Sequence, residues 1–261
     1  DVINFENKVC KHIDLSIGSL VLGNSKNFKS LPHFEKRINR WLEDQEADIG
    51  YGGYGEARPI YSNALFQNIL DGGPQWRTVH LGLDLWTGIN ESVFSPLDGE
   101  VYSVFNNEGA LNYGPTVIIK HTINDSFCFY TLYGHLNTWC IEHLTVGQSI
   151  TAGQKIGEIG DTSINGNWPA HLHFQIVLEM LDHKQDYPGV AYPEEKSLWL
   201  SLCPDPTLLV NQNWSFPKGK NEENLLITIN NVTHSRLHST FNKPRKEIAS
   251  TIETLLGKDK C

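Results

Sequence analysis

Nowhere does this chain carry a run of about 18 apolar residues, so no membrane-spanning helix is expected. No basic stretch appears either. The balance is acidic, with 21 Lys and Arg against 30 Asp and Glu and a net charge of −9. A surface of that sign repels a phosphate backbone, and nucleic acid is not an expected partner. Cysteine is scarce. The five thiols, Cys10, Cys128, Cys140, Cys203 and Cys261, are odd in number and contain no CxxC pair. That pattern disfavours a disulfide framework and a cysteine-based zinc site, and reduced, structural thiols are expected. Internal repeats and low-complexity tracts are also lacking. The first residue is Asp1 rather than Met, as expected of a processed product, a fragment or an excised domain, where a targeting segment would not be visible.

What is present suffices for a core: 39% of the 261 residues are hydrophobic. Residues 1–76 read as a mixed α/β extension. In "LPHFEKRINRWLEDQEA", Phe34, Ile38, Trp41 and Leu42 fall on one helical face behind Pro32, which suits a helix start. The glycine-rich "DIGYGGYGEARPIYS" predicts a structured loop. From residue 77 the character changes. Short apolar runs alternate with turn signals, as in "SVFSPLDGEVYSVF", "YGPTVIIKH", "SFCFYTLYGHL" and "HLHFQIVLEM". The Asp98-Gly99 pair between two such runs predicts a hairpin turn. The fold class is therefore mainly β, with antiparallel strands over 77–210. "WLSLCPDPTLLV" is expected to cap that domain. Residues 211–261 form a C-terminal tail, with a helix over "RKEIASTIETLLG" ending at Gly257.

The chemistry lies in the histidines. In the strand-like "PAHLHFQI", His171 and His173 stand two apart and so face one side. Upstream, "RTVHLGLDLW" sets His80 and Asp84 four apart, which shares a face in either a strand or a helix. Between these segments "YTLYGHLN" adds His135. Three separate stretches thus offer four imidazoles and a carboxylate. Zinc suits this set: a catalytic site takes three such ligands plus water, leaving two imidazoles for proton transfer and oxyanion support.

These motifs, in this order and at compatible spacing over residues 77–178, resemble the lysostaphin-type (LytM) zinc metallopeptidases. The resemblance implies a groove-bearing antiparallel sheet or sandwich with one zinc ion on its floor. It implies His80, Asp84 and His173 as ligands, His135 and His171 as catalytic histidines, and hydrolysis of peptide bonds, of peptidoglycan type or in glycine-rich peptides. Two departures stand out. "NGNWPA" replaces the Ser-Thr-Gly run common before HxH, and "NES" replaces Gly-Thr-Pro before the "VFSPLDG" strand. Neither removes a ligand, and both bear on substrate identity.

The flanks "GYGEARPIYSNALF" and "YPGVAYPEE…WLSLCPDP" further resemble a peptidase-like domain of phosphotransferase–peptidase–aminotransferase fusion proteins. That implies a piece of a larger multidomain protein, and with the unpaired cysteines it favours a cytoplasmic setting over a periplasmic or secreted one. Tyr61, Arg58 and Trp168 are expected to line the substrate groove, with Glu56 either beside them or covering the metal in a latent form. Two rival readings are a non-catalytic peptidase-fold binding or scaffold module and a zinc amidase acting on a small metabolite.

Overall fold

A computed structural model describes residues 1–21, 23, 30–70, 73–124 and 127–210. The tail expected over 211–261, with its helix ending at Gly257, lies outside the described residues. The protein is mostly β. Fourteen strands among the described residues run as β1 (Cys10–His12), β2 (Ile49–Gly52), β3 (Gln67–Leu70), β4 (Gly73–Trp76), β5 (Val79–His80), β6 (Leu83–Trp86), β7 (Ser92–Phe94), β8 (Gly99–Asn107), β9 (Gly114–Asn124), β10 (Phe127–Gly134), β11 (Ser149–Ile150), β12 (Lys155–Glu158), β13 (His171–Val177) and β14 (Val190–Ala191). Helices are α1 (Leu31–Asp44), α2 (Trp139–His143) and α3 (Lys196–Leu202).

Eight strands form the main sheet in the order β1-β2-β6-β13-β10-β9-β8-β11. Its pairings are antiparallel except β1 with β2, which is parallel. Strand alternation assigns its two faces. Leu83 and Leu85 of β6, Leu172 and Phe174 of β13, Val117 and Ile119 of β9 and Tyr133 of β10 share the largest core cluster. Their alternating neighbours Asp84, Trp86, His171, His173 and Gln175 point to the other face, where all five are also buried. Each apolar side chain on the core face contributes about 1.5–3 kcal/mol, which helps offset the cost of burying so polar an opposite face.

α1 forms as expected. Phe34 and Ile38 are buried, and Trp41 and Leu42 pack partly buried against the same cluster, which also holds Trp86 and Trp168. α3 and the turn after it cap the β region: Leu202 and Cys203 are buried with Val79 and Leu81, and the Leu178 amide donates to the Leu202 carbonyl at 2.8 Å.

Two expectations are corrected. The glycine-rich segment after α1 is not all loop, because Ile49–Gly52 is a fully buried strand between β1 and β6. Its glycine content reflects crowding: a Cβ at Gly52 would lie 2.5 Å from the Ile13 carbonyl oxygen. Asp98-Gly99 does not close a hairpin. β7 pairs with β12, while β8 pairs with β9 and β11. The pair instead turns a corner between sheets, where the Asp98 carbonyl accepts from His121 Nδ1 at 2.7 Å and its carboxylate from the Ala152 amide at 2.7 Å.

Candidate metal centre

The register of three strands builds the site. His173 stands opposite Asp84 across the β13–β6 pair, and opposite Gly134 on the β10 side. His171 stands opposite Trp86, and the two rings stack at 4.0 Å. His135 follows β10 directly and takes a left-handed backbone (φ 64). His80 and Asp84 do meet, but not as two residues of one strand. His80 ends β5, which pairs with β14, and Asp84 belongs to β6 in the main sheet. The chain bends between them at Gly82, where a Cβ would lie 2.5 Å from the His173 ring. Only glycine allows that approach.

Three ligand-type atoms converge. His80 Nε2 lies 2.9 Å from His173 Nδ1 and 3.3 Å from Asp84 Oδ1, and His173 Nδ1 lies 3.2 Å from the same oxygen. Among the described residues this is the only group of three or more His, Cys, Asp or Glu arranged to hold a metal ion. Every other ring nitrogen is committed. His80 Nδ1 faces the Gly53 carbonyl at 3.0 Å, which can only accept, so the hydrogen sits there and Nε2 keeps a lone pair. Gln175 turns its amide N–H groups to the Pro188 carbonyl and Cys203 Sγ, leaving Oε1 to accept from His173 Nε2 at 2.9 Å. His173 Nδ1 therefore also carries a lone pair. Two lone pairs and a carboxylate oxygen, all acceptors within 3.3 Å of one another, repel unless a cation sits among them. The spacing matches a tetrahedral zinc site, whose ligand atoms lie about 3.3 Å apart for bonds of about 2.0–2.1 Å. The donor set thus fits zinc, and each ligand's outer atom is anchored as metal ligands require.

The two remaining imidazoles are held the same way. His135 Nδ1 meets the Asn165 carbonyl at 2.9 Å and His171 Nδ1 the Pro169 carbonyl at 2.7 Å. Their rings lie 4.4 Å apart, and His171 Nε2 is 3.7 Å from Asp84 Oδ1. Burial pushes His80 down to about 3 and His171 down to about 4, and burial with the neighbouring imidazoles pushes His135 well below its ordinary value. All three are neutral near pH 7 and able to offer lone pairs. Burial alone would raise the Asp84 carboxyl, but His80 and Arg58 beside it outweigh this and hold it well below the usual range.

Of the expected groove residues, Tyr61 and Trp168 line the same cavity as His80, Asp84 and His173. Arg58 does too, but it is 2% exposed and its donors are engaged: Nε with Glu56 at 2.6 Å, and one terminal nitrogen with Asp84 Oδ2 at 2.5 Å and the Tyr61 hydroxyl at 3.3 Å. Glu56 spends its second oxygen on the Leu15 amide at 3.0 Å, so both of its oxygens are engaged. Sequence reasoning missed Gln175, although it continues the His171, His173 alternation. It also missed Tyr113, whose hydroxyl is 3.4 Å from His173 Nε2 and whose phenol burial pushes well above its ordinary value. Nothing local in "NYGPT" signals that role. The Gly53 carbonyl under His80 was equally invisible.

Residues 78–186 match the model of Peptidase family M23. The matched stretch is less than half of the chain. It encloses His80, Asp84, His135, His171 and His173, and leaves Phe34, Arg58, Tyr61 and Phe66 outside. Among solved structures, the chain is similar to a zinc-containing peptidase from Vibrio cholerae (32% identity over 38% of this chain and 27% of that one, TM-score 0.31). It is also similar to the catalytic domain of lysostaphin from Staphylococcus simulans (24% identity over 59% and 93%, TM-score 0.36). A third similar structure is the SpoIIQ–SpoIIIAH pore-forming complex (21% identity over 58% and 85%, TM-score 0.35). The chain thus spans about a quarter of the length of the Vibrio peptidase. No curated protein sequence matches it.

Proposed function

We propose that this chain is a zinc-dependent peptidase that hydrolyses peptide amide bonds, with His80, Asp84 and His173 as ligands and His135 and His171 as proton-transfer groups. The observation that carries this reading is the triangle of three unprotonated ligand atoms, each anchored from behind, with two further lone-pair imidazoles beside it. When bound, zinc supplies a Lewis acid that polarises a carbonyl and acidifies water.

The chain's own residues do the rest. With their Nδ1 hydrogens pinned on backbone carbonyls, His135 and His171 present Nε2 lone pairs. Each is therefore a base first. One takes a proton from the attacking water, and the imidazolium so formed carries an Nε2–H. That N–H can stabilise the oxyanion and then deliver its proton to the leaving amine. Trp86, stacked on His171, fixes the plane of that ring.

The flanks' resemblance to a domain of metabolic fusion proteins supports a short peptide or amide as substrate, beside the wall peptides suggested by the family. The test combines two readings. Zinc-loaded protein should bind one equivalent of metal and cleave peptide substrates in a chelator-sensitive way. His171→Ala should keep the metal and lose about 10²–10⁴-fold in turnover. Metal bound with no cleavage of any peptide would leave the scaffold reading in place.

A further inference from the structure

Beside the ligands the cavity is walled by aromatic rings. Tyr61 and Phe66 pack edge-on with centroids 4.9 Å apart, and Trp168 packs against both at 6.1 Å from Tyr61 and 6.5 Å from Phe66, so the three rings form one continuous apolar wall of the cavity. This wall adjoins the chemistry directly. Tyr61 stacks on the ligand His80 at 6.2 Å, and Trp168 lies 6.0 Å from His135 and 6.4 Å from His171. Tyr61 and Phe66 come from outside the M23 match.

The cavity holds about 260 Å³. An apolar cavity of about 150 Å³ already takes a benzene ring, so there is room for one large side chain next to the amide to be cut. Ile60 and Leu111 line both this cavity and an outer one of about 790 Å³, which carries Glu35, Ser62, Asn63, Thr162 and Asn167. The rest of a peptide has a more polar way out.

Resting on the peptidase reading, we infer that the aromatic wall of Tyr61, Phe66 and Trp168 is one side of a subsite selecting peptides with a large apolar, preferably aromatic, residue beside the scissile amide. Glycine would leave the wall uncovered. An aromatic surface can also hold a cation, but Glu56 and Asp84 beside Tyr61 are already paired with Arg58, so a lysine ammonium there would give up its hydration without gaining either carboxylate. A lysine side chain is therefore rejected. An acidic side chain finds the Arg58 donors already engaged by Glu56, Asp84 and Tyr61.

The test is a binding series with acetyl-Gly-X-Gly amides, X being Gly, Ala, Leu, Phe or Lys. It is read by titration calorimetry on metal-free wild-type protein and on the zinc-loaded His171→Ala variant. Affinity should rise from Gly through Ala and Leu to Phe, by about 10- to 100-fold overall, with Lys no better than Gly, and in the same order without metal. Phe66→Ala should abolish most of the preference for Phe, and the milder Phe66→Leu should reduce it while leaving the Leu peptide bound. Both variants are checked for folding by thermal melting. Three results would overturn the subsite: no binding of the Phe peptide at millimolar concentration, triglycine or Lys binding as tightly as Phe, or a folded Phe66→Ala with unchanged preference. If the order holds in metal-free protein that neither retains zinc nor cleaves, the peptidase reading fails and the subsite stands. Cleavage without the order means the reverse.

Discussion

Arg58 and Asp84 tie a segment outside the M23 match to a proposed metal ligand inside it. The guanidinium donates to Asp84 Oδ2 at 2.5 Å, while Oδ1 faces His80 and His173 at 3.3 and 3.2 Å. One carboxylate thus serves a permanent cation on one side and the two imidazoles on the other. Both partners are 2% exposed at the side chain. The pair resists solvent screening, and leaving one partner alone is costly.

Arg58→Met should therefore destabilise the fold by about 3–5 kcal/mol, since it strands Asp84 and Glu56 as buried charges. Arg58→Lys keeps the charge but loses the fork, and its loss should be intermediate. Urea unfolding of the metal-free proteins measures both. A change under about 1 kcal/mol for Arg58→Met would mean that the pair adds nothing to stability.

Ligand variants should separate from catalytic ones by metal content. His80→Ala or His173→Ala should abolish stoichiometric zinc, whereas His135→Ala and His171→Ala should retain it. Metal analysis after exhaustive dialysis decides. Full zinc in His173→Ala would remove that residue from the ligand set.

Gly82→Ala tests the bend. Its methyl group would sit 2.5 Å from the His173 ring and 2.9 Å from the Phe174 carbonyl oxygen. The ring must move, so zinc affinity should fall and stability drop by about 1–3 kcal/mol. Competition with a chromogenic chelator reads the first effect and a denaturant titration the second.

Acid should weaken the fold through His121. Burial pushes this imidazole down to about 4, and it is held by the Asp98 carbonyl and the Thr131 hydroxyl. Below its unfolded value of about 6.5 the unfolded chain binds a proton that the folded chain refuses. Its contribution is therefore complete above about pH 6.5 and is lost as pH falls toward 4. At about 1.4 kcal/mol per pH unit that comes to about 3 kcal/mol at most. The other buried imidazoles act in the same direction, so the His121 share is the difference between wild type and His121→Gln in urea melts at pH 7 and pH 5. Equal pH dependence in the two proteins would contradict it.

Much of the site was legible because it rests on period and spacing. His171 and His173 share a face through strand alternation alone, and the helical stripe of Phe34 and Ile38 came from the same kind of count. The His80–Asp84 spacing was legible for a partly mistaken reason: the two meet across a bend rather than along one element. Gln175 was within reach of the alternation and was overlooked. The hairpin at Asp98-Gly99 failed because strand neighbours depend on which distant runs pair, and β12 is more than fifty residues away from that turn.

By itself the sequence determined the donor inventory, the face each donor takes within its own strand, and the β-rich class. These follow from local backbone geometry and from the chemistry of imidazole and carboxylate. Only the tertiary structure decided that Arg58 spends its charge on Asp84 and Glu56, that both Glu56 oxygens are engaged by Leu15 and Arg58, and that Tyr61, Phe66 and Trp168 form one aromatic wall beside His80, His135 and His171. The longest of those relations join distant residues, Arg58 with Asp84, Glu56 with Leu15 and Tyr61 with Trp168, and they arise from the pairing of β2 with β6 and from packing against α1, neither of which a local period encodes.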